Sequence, residues 1–423
     1  MHILTKTTIA TLVALYGAQI HAAGFQSNSQ SARGISRAFA GEAAIADSAA
    51  VISRNAAGME LLKEEAHITV GAAYVDAQVD VKNIKNGNTT VGSGELSDIS
   101  EDKTVPTLFF HQRLNDSMSV GIGVFSYFGT STDMKELGTD SAVTVADLFG
   151  YTEVMTIDFA AAFSYRINEQ FSLGLTLDVI YGSGVLNRRG KFGPAFSNAS
   201  IADVAATGTE FGASCGMIWE LNDDNRFGLN YRYNPQIDAK HGVVNTTALD
   251  GTGTAQINTS FDKVIVPLPD MLAVSGHHIM DQWAFSWSAN LTMWSAFDKV
   301  EVKNPTTAIL KEYQWQDSWS VAVAASYMID SQWTVRLGYM YDADATDKIE
   351  SLSIPDSDRN WITTGFSYDV NDQSSVDFGF AYIIGSKKDI TEQSAKGTSA
   401  SSTYTAEVSP DAMYFALGYN YSF

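Results

Sequence analysis

Residue types that commonly do enzymatic chemistry are sparse and dispersed in this chain. The seven histidines are scattered apart from His277-His278, and no H-E-x-x-H pair or Cys/His cluster indicates a metal site. Cys215 is the single cysteine, which excludes an intramolecular disulfide. No Ser/His pair stands out as a nucleophile and its base. We therefore expect no enzymatic activity, no cofactor and no metal.

The amino-acid composition restricts the classes of protein to which the chain can belong. The 423 residues include 27 Lys+Arg against 48 Asp+Glu, a formal net charge of −21. Nucleic-acid binding is disfavoured, because a polyphosphate partner needs a basic surface. No segment after the N-terminus reaches the roughly 18 to 20 consecutive apolar residues of a membrane-spanning helix. Composition alone would therefore indicate an acidic soluble protein.

The N-terminus has the features of an export signal. Lys6 provides a positive start, residues 9–18 form a short apolar stretch, and His21-Ala22-Ala23 offers small residues for cleavage after Ala22. Residues 1–22 are therefore predicted to be a signal peptide. The mature protein is expected outside the cytoplasm.

Hydrophobic residues alternate with polar ones through most of the mature chain. In residues 155–167 the odd positions are apolar or aromatic, and residues 171–181 repeat this pattern after a polar turn. Six such hairpins, one strand at 68–81 and one at 413–423 give about 14 strands. All eight prolines lie outside these predicted strand interiors.

Connections between the predicted strands alternate in length. Tight polar turns alternate with seven long segments, at 83–106, 129–153, 186–210, 235–270, 295–317, 343–360 and 386–411. This is typical of outer-membrane β-barrels, which have short periplasmic turns and long outer loops. The predicted fold is all-β, a transmembrane antiparallel barrel at residues 66–423. A soluble β-sandwich or propeller is the alternative.

The segment before the barrel, residues 23–65, follows a different pattern. It is rich in Gly and Ala and contains no ten-residue alternating strand. A barrel of 14 strands is wide enough to hold a plug. From the residues alone, a lumenal plug and a periplasmic appendage are equally compatible with this segment.

Seven short motifs are spread over essentially the whole mature chain. They are Ala23-Gly24-Phe25-Gln26, the SARGISRAFAGEAAIAD segment at 31–47, Ser53-Arg54-Asn55, Leu268-Pro269-Asp270-Met271, Val274-Ser275-Gly276, SIPDSDR at 353–359 and Ser375-Val376-Asp377. Together these motifs resemble the FadL family of outer-membrane long-chain fatty-acid transporters. The resemblance implies a 14-stranded barrel with residues 23–65 as a hatch in its lumen.

The resemblance also implies a function. A family member of this kind takes up long-chain fatty acids by passive diffusion across the bacterial outer membrane. The substrate binds in an outer groove, passes to a lumenal pocket and leaves sideways through a kink in the third strand. Outer-membrane lipid and lipopolysaccharide are the surroundings implied. The terminal Phe423 resembles the signal read by the barrel-assembly machinery.

Site residues follow from the same resemblance. Arg188, after the fifth strand, and Lys311, before the tenth, match basic residues that meet the substrate carboxylate; Arg189 is the neighbour that could replace Arg188. A guanidinium can fork onto a carboxylate, and an ammonium adds a point charge. Taken alone, both would be interpreted as solvated loop cations.

Six further residues are assigned in the same way. Tyr127-Phe128-Gly129, at the end of the third strand, match the kink. Phe25 and Asn55 match hatch positions, and Asp342, at the top of the eleventh strand, matches a lumenal acid. Asn55-Ala56-Ala57 departs from the family's Asn-Pro-Ala, which puts a gating role of that turn in doubt.

Two other functions stay open. A diffusion porin for hydrophilic solutes predicts an open, charged lumen. The other alternative, implied by the resemblance, is import of aromatic hydrocarbons or other small hydrophobic compounds, which related family members take up. The two basic residues, Arg188 and Lys311, favour a substrate with a carboxylate.

Overall fold

The computed structural model describes residues 24–192, 196–249, 255–258, 261–304, 306–394 and 402–423. The predicted signal peptide, residues 1–22, lies outside the described residues. In the part of the chain that is described, no helix is long and apolar enough to cross a membrane.

Fourteen antiparallel strands form a closed barrel, so the predicted fold and strand number are confirmed. We number these strands in chain order. They are β1 Ala66–Asn86, β2 Lys103–Asn115, β3 Met118–Phe125 with Gly129–Asp133, β4 Gly150–Arg166, β5 Phe171–Phe192, β6 Phe196–Asn222, β7 Asn225–Tyr233, β8 Met271–Met280, β9 Trp283–Thr292, β10 Ser318–Met328, β11 Trp333–Asp342, β12 Arg359–Asn371, β13 Ser374–Gly385 and β14 Thr403–Ser422.

The first and last strands close the sheet. β1 pairs with β14 from His67 opposite Ser422 to Asn86 opposite Tyr404, with one irregularity between Lys82 and Lys85. Lipid offers no hydrogen-bond partners to the backbone, so a membrane-spanning sheet must close on itself. The long β1–β14 ladder satisfies this requirement.

Side chains alternate between the two faces of the barrel wall as predicted. On β5, Leu173, Leu175 and Leu177 are 43%, 45% and 61% exposed, whereas Thr176 and Asp178 are buried. The apolar face therefore points outward and the polar face inward. This is the reverse of a soluble barrel, and it fits a wall surrounded by lipid.

The long segments contain more strand than predicted. Residues 186–210, expected as a loop, are largely the outer halves of β5 and β6, which pair beyond Arg188. A four-stranded outer sheet lies in other predicted loops, with strands Ile237–Ala239, Lys263–Val266, Lys299–Asn304 and Thr306–Glu312. Short strands also span Thr89–Thr90, Glu95–Leu96, His241–Leu249, Ala255–Asn258 and Lys388–Gln393. These polar segments form strands because they can pair with a neighbouring strand. A sheet outside the membrane does not need an apolar face, so their polar composition does not prevent strand formation.

Residues 24–62 pack against the inward face of the sheet. They contain helices α1 Ala32–Ser36 and α2 Val51–Arg54 and a 3-10 helix at Ala56–Leu61; two more 3-10 helices lie at Lys135–Thr139 and Trp294–Ala296. Inward glycines admit the segment: a Cβ on Gly174 would lie 2.0 Å from the Ala57 nitrogen, and one on Gly228 would lie 1.8 Å from the Ala43 oxygen.

Ion pairs hold the interior together. Arg33 of α1 contacts Asp377 of β13 at 2.8 Å. Arg232 of β7 donates to Asp158 of β4 and, at 3.2 Å, to Asp178 of β5. All three members of this triad are buried, so each charge depends on the others for compensation.

Replacing Arg232 with methionine should strongly destabilise the barrel. The change leaves two buried carboxylates without their cation, which typically costs about 3–5 kcal/mol. Urea unfolding in lipid vesicles measures the loss. The matched control is Arg166→Met, because Arg166 pairs with Glu220 at a partly exposed site and should lose less than about 1 kcal/mol. Equal losses in the two variants would contradict the role of the triad.

Candidate functional site

An apolar cavity lies between the barrel wall and the outer sheet; we call it the outer cavity. Its wall is mainly aliphatic and aromatic, from Val154, Val185, Leu186, Ile237, Val264, Leu268, Phe297, Leu310, Tyr313 and Ile354. This apolar lining suits a hydrophobic small molecule.

Lys311 provides a cation in this apolar wall. It lies in the outer-sheet strand Thr306–Glu312, and its ammonium is ion-paired with the carboxylate of Glu392. Burial and the Arg188 guanidinium lower the pKa of Lys311 to about 7. The Asp147 carboxylate opposes that shift, and the Glu392 carboxylate in direct contact stabilises the ammonium, so Lys311 is charged when a carboxylate lies beside it.

Arg188 is buried beside the outer cavity, within β5 rather than after it. Its guanidinium donates to the Tyr151 carbonyl at 2.9 Å and to the Thr152 hydroxyl at 2.8 Å. Thr152 in turn lines the outer cavity. Arg189, the predicted substitute, is exposed. Arg188 and Lys311 therefore lie at the same cavity. Lys311 is part of its wall, and Arg188 lies behind the wall residue Thr152.

Phe25 lies in an aromatic cluster at the inner end of this cavity. It is fully buried, with ring centroids 4.7 Å from Trp294, 5.0 Å from Phe297 and 5.9 Å from Phe128. Phe297 also packs on Tyr313 at 4.6 Å. The aromatic partners of Phe25 were not predicted from the sequence. Segment 295–317 is otherwise polar, so the aromatic residues within it, and Trp294 just before it, were the sequence feature that could have identified these partners.

The predicted kink interrupts β3 internally instead of ending it. Phe125 pairs with Asp158, and pairing resumes at Gly129 opposite Met155. Three residues of β3, Ser126 to Phe128, therefore stand opposite two of β4. One extra residue in a strand bends it and disrupts its ladder.

Next to this kink the wall has a gap. β2 and β3 pair from Asn115 opposite Met118 to Leu108 opposite Val124, and no described pair joins residues 103–107 to β3.

Pro106 lies in that stretch of β2, and Pro410 lies within β14, so the prediction that all prolines avoid strands was wrong for these two. Proline has no N–H and is tolerated in a strand where the neighbour offers no ladder partner.

The N-terminal segment supplies hydrogen bonds at the kink. The Ser27 N–H donates to the Tyr127 carbonyl at 2.6 Å, and the Gly129 N–H donates to the Phe25 carbonyl at 2.8 Å. Gln26 and Phe128 form an isolated antiparallel bridge. Residues 25–27 therefore act as a short strand beside the kink.

Asn55 and Asp342 lie apart from the outer cavity. Asn55 caps the 3-10 helix through the Ala57 N–H at 3.1 Å and donates to the Ala43 carbonyl at 2.7 Å. Asp342 ends β11 and lines a second, more polar cavity, which we call the inner cavity. The inner cavity is flanked by residues 26–54 and by the walls of β7 to β11.

One enzymatic signature was overlooked in the sequence analysis. Residues 212–216, Gly-Ala-Ser-Cys-Gly, have the G-x-S-x-G spacing of a hydrolase nucleophile elbow. They lie within the continuous strand β6, where the Ser214 hydroxyl is 2.5 Å from that of Thr176. An elbow requires a sharp turn from strand to helix, so this match carries no catalytic meaning. Within the described ranges, no group of three or more His, Cys, Asp or Glu could hold a metal ion.

A closed barrel with an apolar outer wall and an apolar internal cavity defines an outer-membrane channel. The chain belongs to the outer membrane protein transport protein family (OMPP1/FadL/TodX), whose profile matches residues 13–423. The family places the protein in the bacterial outer membrane.

Curated relatives match along their full length. The chain is 31% identical to a long-chain fatty acid transport protein of Escherichia coli O6:H1, with 100% of this chain and 99% of the relative covered. It is 31% identical to the 47 kDa outer membrane protein of Pasteurella multocida, with 99% and 98% covered. These relatives are transport or outer-membrane proteins, not enzymes.

Solved structures share the fold. A Pseudomonas aeruginosa FadL homologue superposes with a TM-score of 0.78 at 19% identity, covering 95% of this chain and 100% of the homologue. The toluene transporter TodX of Pseudomonas putida superposes with a TM-score of 0.70 at 15% identity, covering 93% and 98%.

Phe25→Ala should loosen the kink. Losing a buried phenylalanine costs about 3–5 kcal/mol of packing, which frees the segment that bonds to Tyr127 and Gly129. Hydrogen exchange of peptides covering residues 126–131 should accelerate at least about tenfold. Phe227→Ala is the control, since Phe227 packs on Trp219 in the barrel wall. Unchanged exchange in Phe25→Ala would show that the N-terminal segment does not hold the kink.

Proposed function

We propose that the protein takes up long-chain fatty acids by passive diffusion. The observation that carries this proposal is the outer cavity, an apolar chamber whose wall contains one lysine ammonium and, behind it, a buried arginine. An acyl chain would occupy the apolar wall, and its carboxylate would meet Lys311. The name of the E. coli relative, a long-chain fatty acid transport protein, supports this substrate class.

We also propose that the substrate leaves sideways, through the gap between β2 and β3. A hydrophobic molecule in the lumen would otherwise have to enter water at the tight-turn end of the barrel. Residues 103–107 of β2, which pair with β1 but not with β3, and the extra residue in β3 support a lateral opening at membrane level. Consumption of the substrate inside the cell would make the diffusion vectorial.

Residues 23–65 would serve as the hatch. The contacts of Phe25 and Ser27 with β3 support a role in which movement of this N-terminus opens the kink. Asn55 would anchor the hatch to the wall instead of moving. The proposed partners besides substrate are outer-membrane lipid or lipopolysaccharide and, through Phe423, the barrel-assembly machinery.

A second candidate substrate is an aromatic hydrocarbon. Glu392 already compensates Lys311, so a neutral ligand could occupy the outer cavity without disturbing any charge. The fold likeness to TodX, which is titled a toluene transporter, is compatible with this reading.

Lys311 and Glu392 distinguish the two candidates. Lys311→Met should weaken oleate binding about tenfold, equivalent to about 1.4 kcal/mol, and leave oleyl alcohol unaffected. Glu392→Gln should strengthen oleate binding by a similar factor, because the ligand no longer competes with an internal carboxylate. Isothermal titration in detergent measures both.

Glu407→Gln is the matched control, since Glu407 contacts the exposed Lys387 at 3.4 Å and removal of its charge should change neither affinity. If oleate and its alcohol respond alike in all variants, the carboxylate proposal fails and the hydrocarbon candidate is favoured.

Deletion of Ser126 tests lateral release. Removing one of the three residues that stand opposite two should restore continuous pairing between β3 and β4 and straighten the kink. Oleate uptake by cells should fall more than about tenfold while binding in the outer cavity is retained. Ser126→Ala keeps the chain length and should transport normally. Full uptake by the deletion variant would contradict exit at the kink.

A further inference from the structure

The inner cavity differs from the outer one in its chemistry. Polar and charged side chains contribute much of its wall, including Asn28, Arg54, Asn230, Arg232 and Asp342. The two cavities are adjacent along the lumen. Phe25 packs on Phe297 of the outer cavity, and the next residue, Gln26, lines the inner one. A ligand that passed Phe25 would therefore enter the inner cavity.

The charges around the inner cavity are unequally compensated. Glu42 is paired with Arg37 at 2.8 Å, and Arg232 is paired with two aspartates. Arg54, in contrast, has no carboxylate oxygen within 4.0 Å among the described residues. It donates to the amide oxygens of Asn28 and Gln30, and its buried Nε has no hydrogen-bond partner.

Aromatic rings occupy other contacts of the same guanidinium. The Arg54 Cζ lies 4.4 Å from the ring centroid of Phe39 and 5.4 Å from that of Tyr127. These contacts stabilise a cation but leave its charge without an anion. A guanidinium with an unused donor, in the wall of a partly polar cavity, is suited to an incoming carboxylate.

We infer that Arg54 and the inner cavity form a second carboxylate-binding site, which receives the substrate after it leaves Lys311. This inference rests on the proposed fatty-acid function. The site takes an amphipathic monocarboxylate, whose chain lies toward Met271, Leu272 and Met340 of the wall. The carboxylate accepts two hydrogen bonds from the Arg54 guanidinium, because charge-assisted hydrogen bonds are stronger than those to neutral amide oxygens.

Binding at Arg54 is connected to the kink. Gln30, which accepts from Arg54, also donates through Nε2 to the Ser126 carbonyl. The Tyr127 hydroxyl donates to the carbonyl of Ser53, the residue before Arg54. A carboxylate that displaces Gln30 from Arg54 therefore frees one of the contacts that hold β3 in place. Arg54 thus acts between the outer cavity and the exit.

The test uses the full-length protein in proteoliposomes, with oleate and oleyl alcohol as probes. Three variants are compared: Arg54→Gln, Arg54→Lys, and Lys63→Gln as the control, because Lys63 is exposed just beyond the hatch helices. Arg54→Gln should lower the oleate transport rate at least about fivefold, leave oleate binding in the outer cavity within about twofold of wild type, and leave alcohol transport unchanged. Arg54→Lys should recover most of the oleate rate, and Lys63→Gln should match wild type.

Outcomes separate this inference from the proposed function. Loss of transport for oleate and alcohol alike, or no loss for either, would overturn the role of Arg54 while Lys311-dependent oleate binding still supported the fatty-acid proposal. Wild-type protein that does not bind oleate would overturn the fatty-acid proposal itself. Retained resistance of the barrel to SDS at room temperature shows that each variant is folded.

Discussion

Every backbone N–H and C=O that faces lipid must find a partner within the protein, and the rest of this structure depends on that constraint. The β1–β14 ladder closes the sheet, and adjacent strands pair around the barrel. The ladder is incomplete beside β3, because residues 103–107 of β2 pair with β1 but not with β3. There residues 25–27 of the N-terminal segment supply backbone partners to β3. The site of a proposed exit is therefore also a site where the N-terminal segment completes the wall.

The closed wall also decides what the interior can hold. Its inward face is polar, so charges such as Asp158, Asp178 and Arg232 compensate one another. Inward glycines leave room for the backbone of the N-terminal segment at Gly174 and Gly228. Beyond this segment the outer sheet brings apolar side chains together into the outer cavity. Polar and apolar chambers thus follow each other along the lumen, which matches a substrate with one charged end.

Alternation and turn composition were sufficient to predict the strand number and the six tight turns. They did not predict how far strands extend, because the outer halves of β5 and β6 carry no lipid-facing pattern. Arg188 was consequently placed after β5 instead of within it. The Lys311–Glu392 contact joins residues far apart in the chain, and no local pattern encodes such a pairing. The kink was found through a motif, but its internal position depends on a register that only paired strands define.

Exit through the wall is tested most directly by photo-crosslinking during uptake, with a fatty acid that carries a diazirine at the end of its acyl chain. Peptide mapping of the adducts reports which residues the moving chain passes. Lateral release predicts adducts in residues 103–107 and 126–128, which border the gap, in addition to those in the outer cavity. Adducts that instead continue down the lumen to the tight-turn end, near Arg166 and Glu220, with none at the gap, would contradict it.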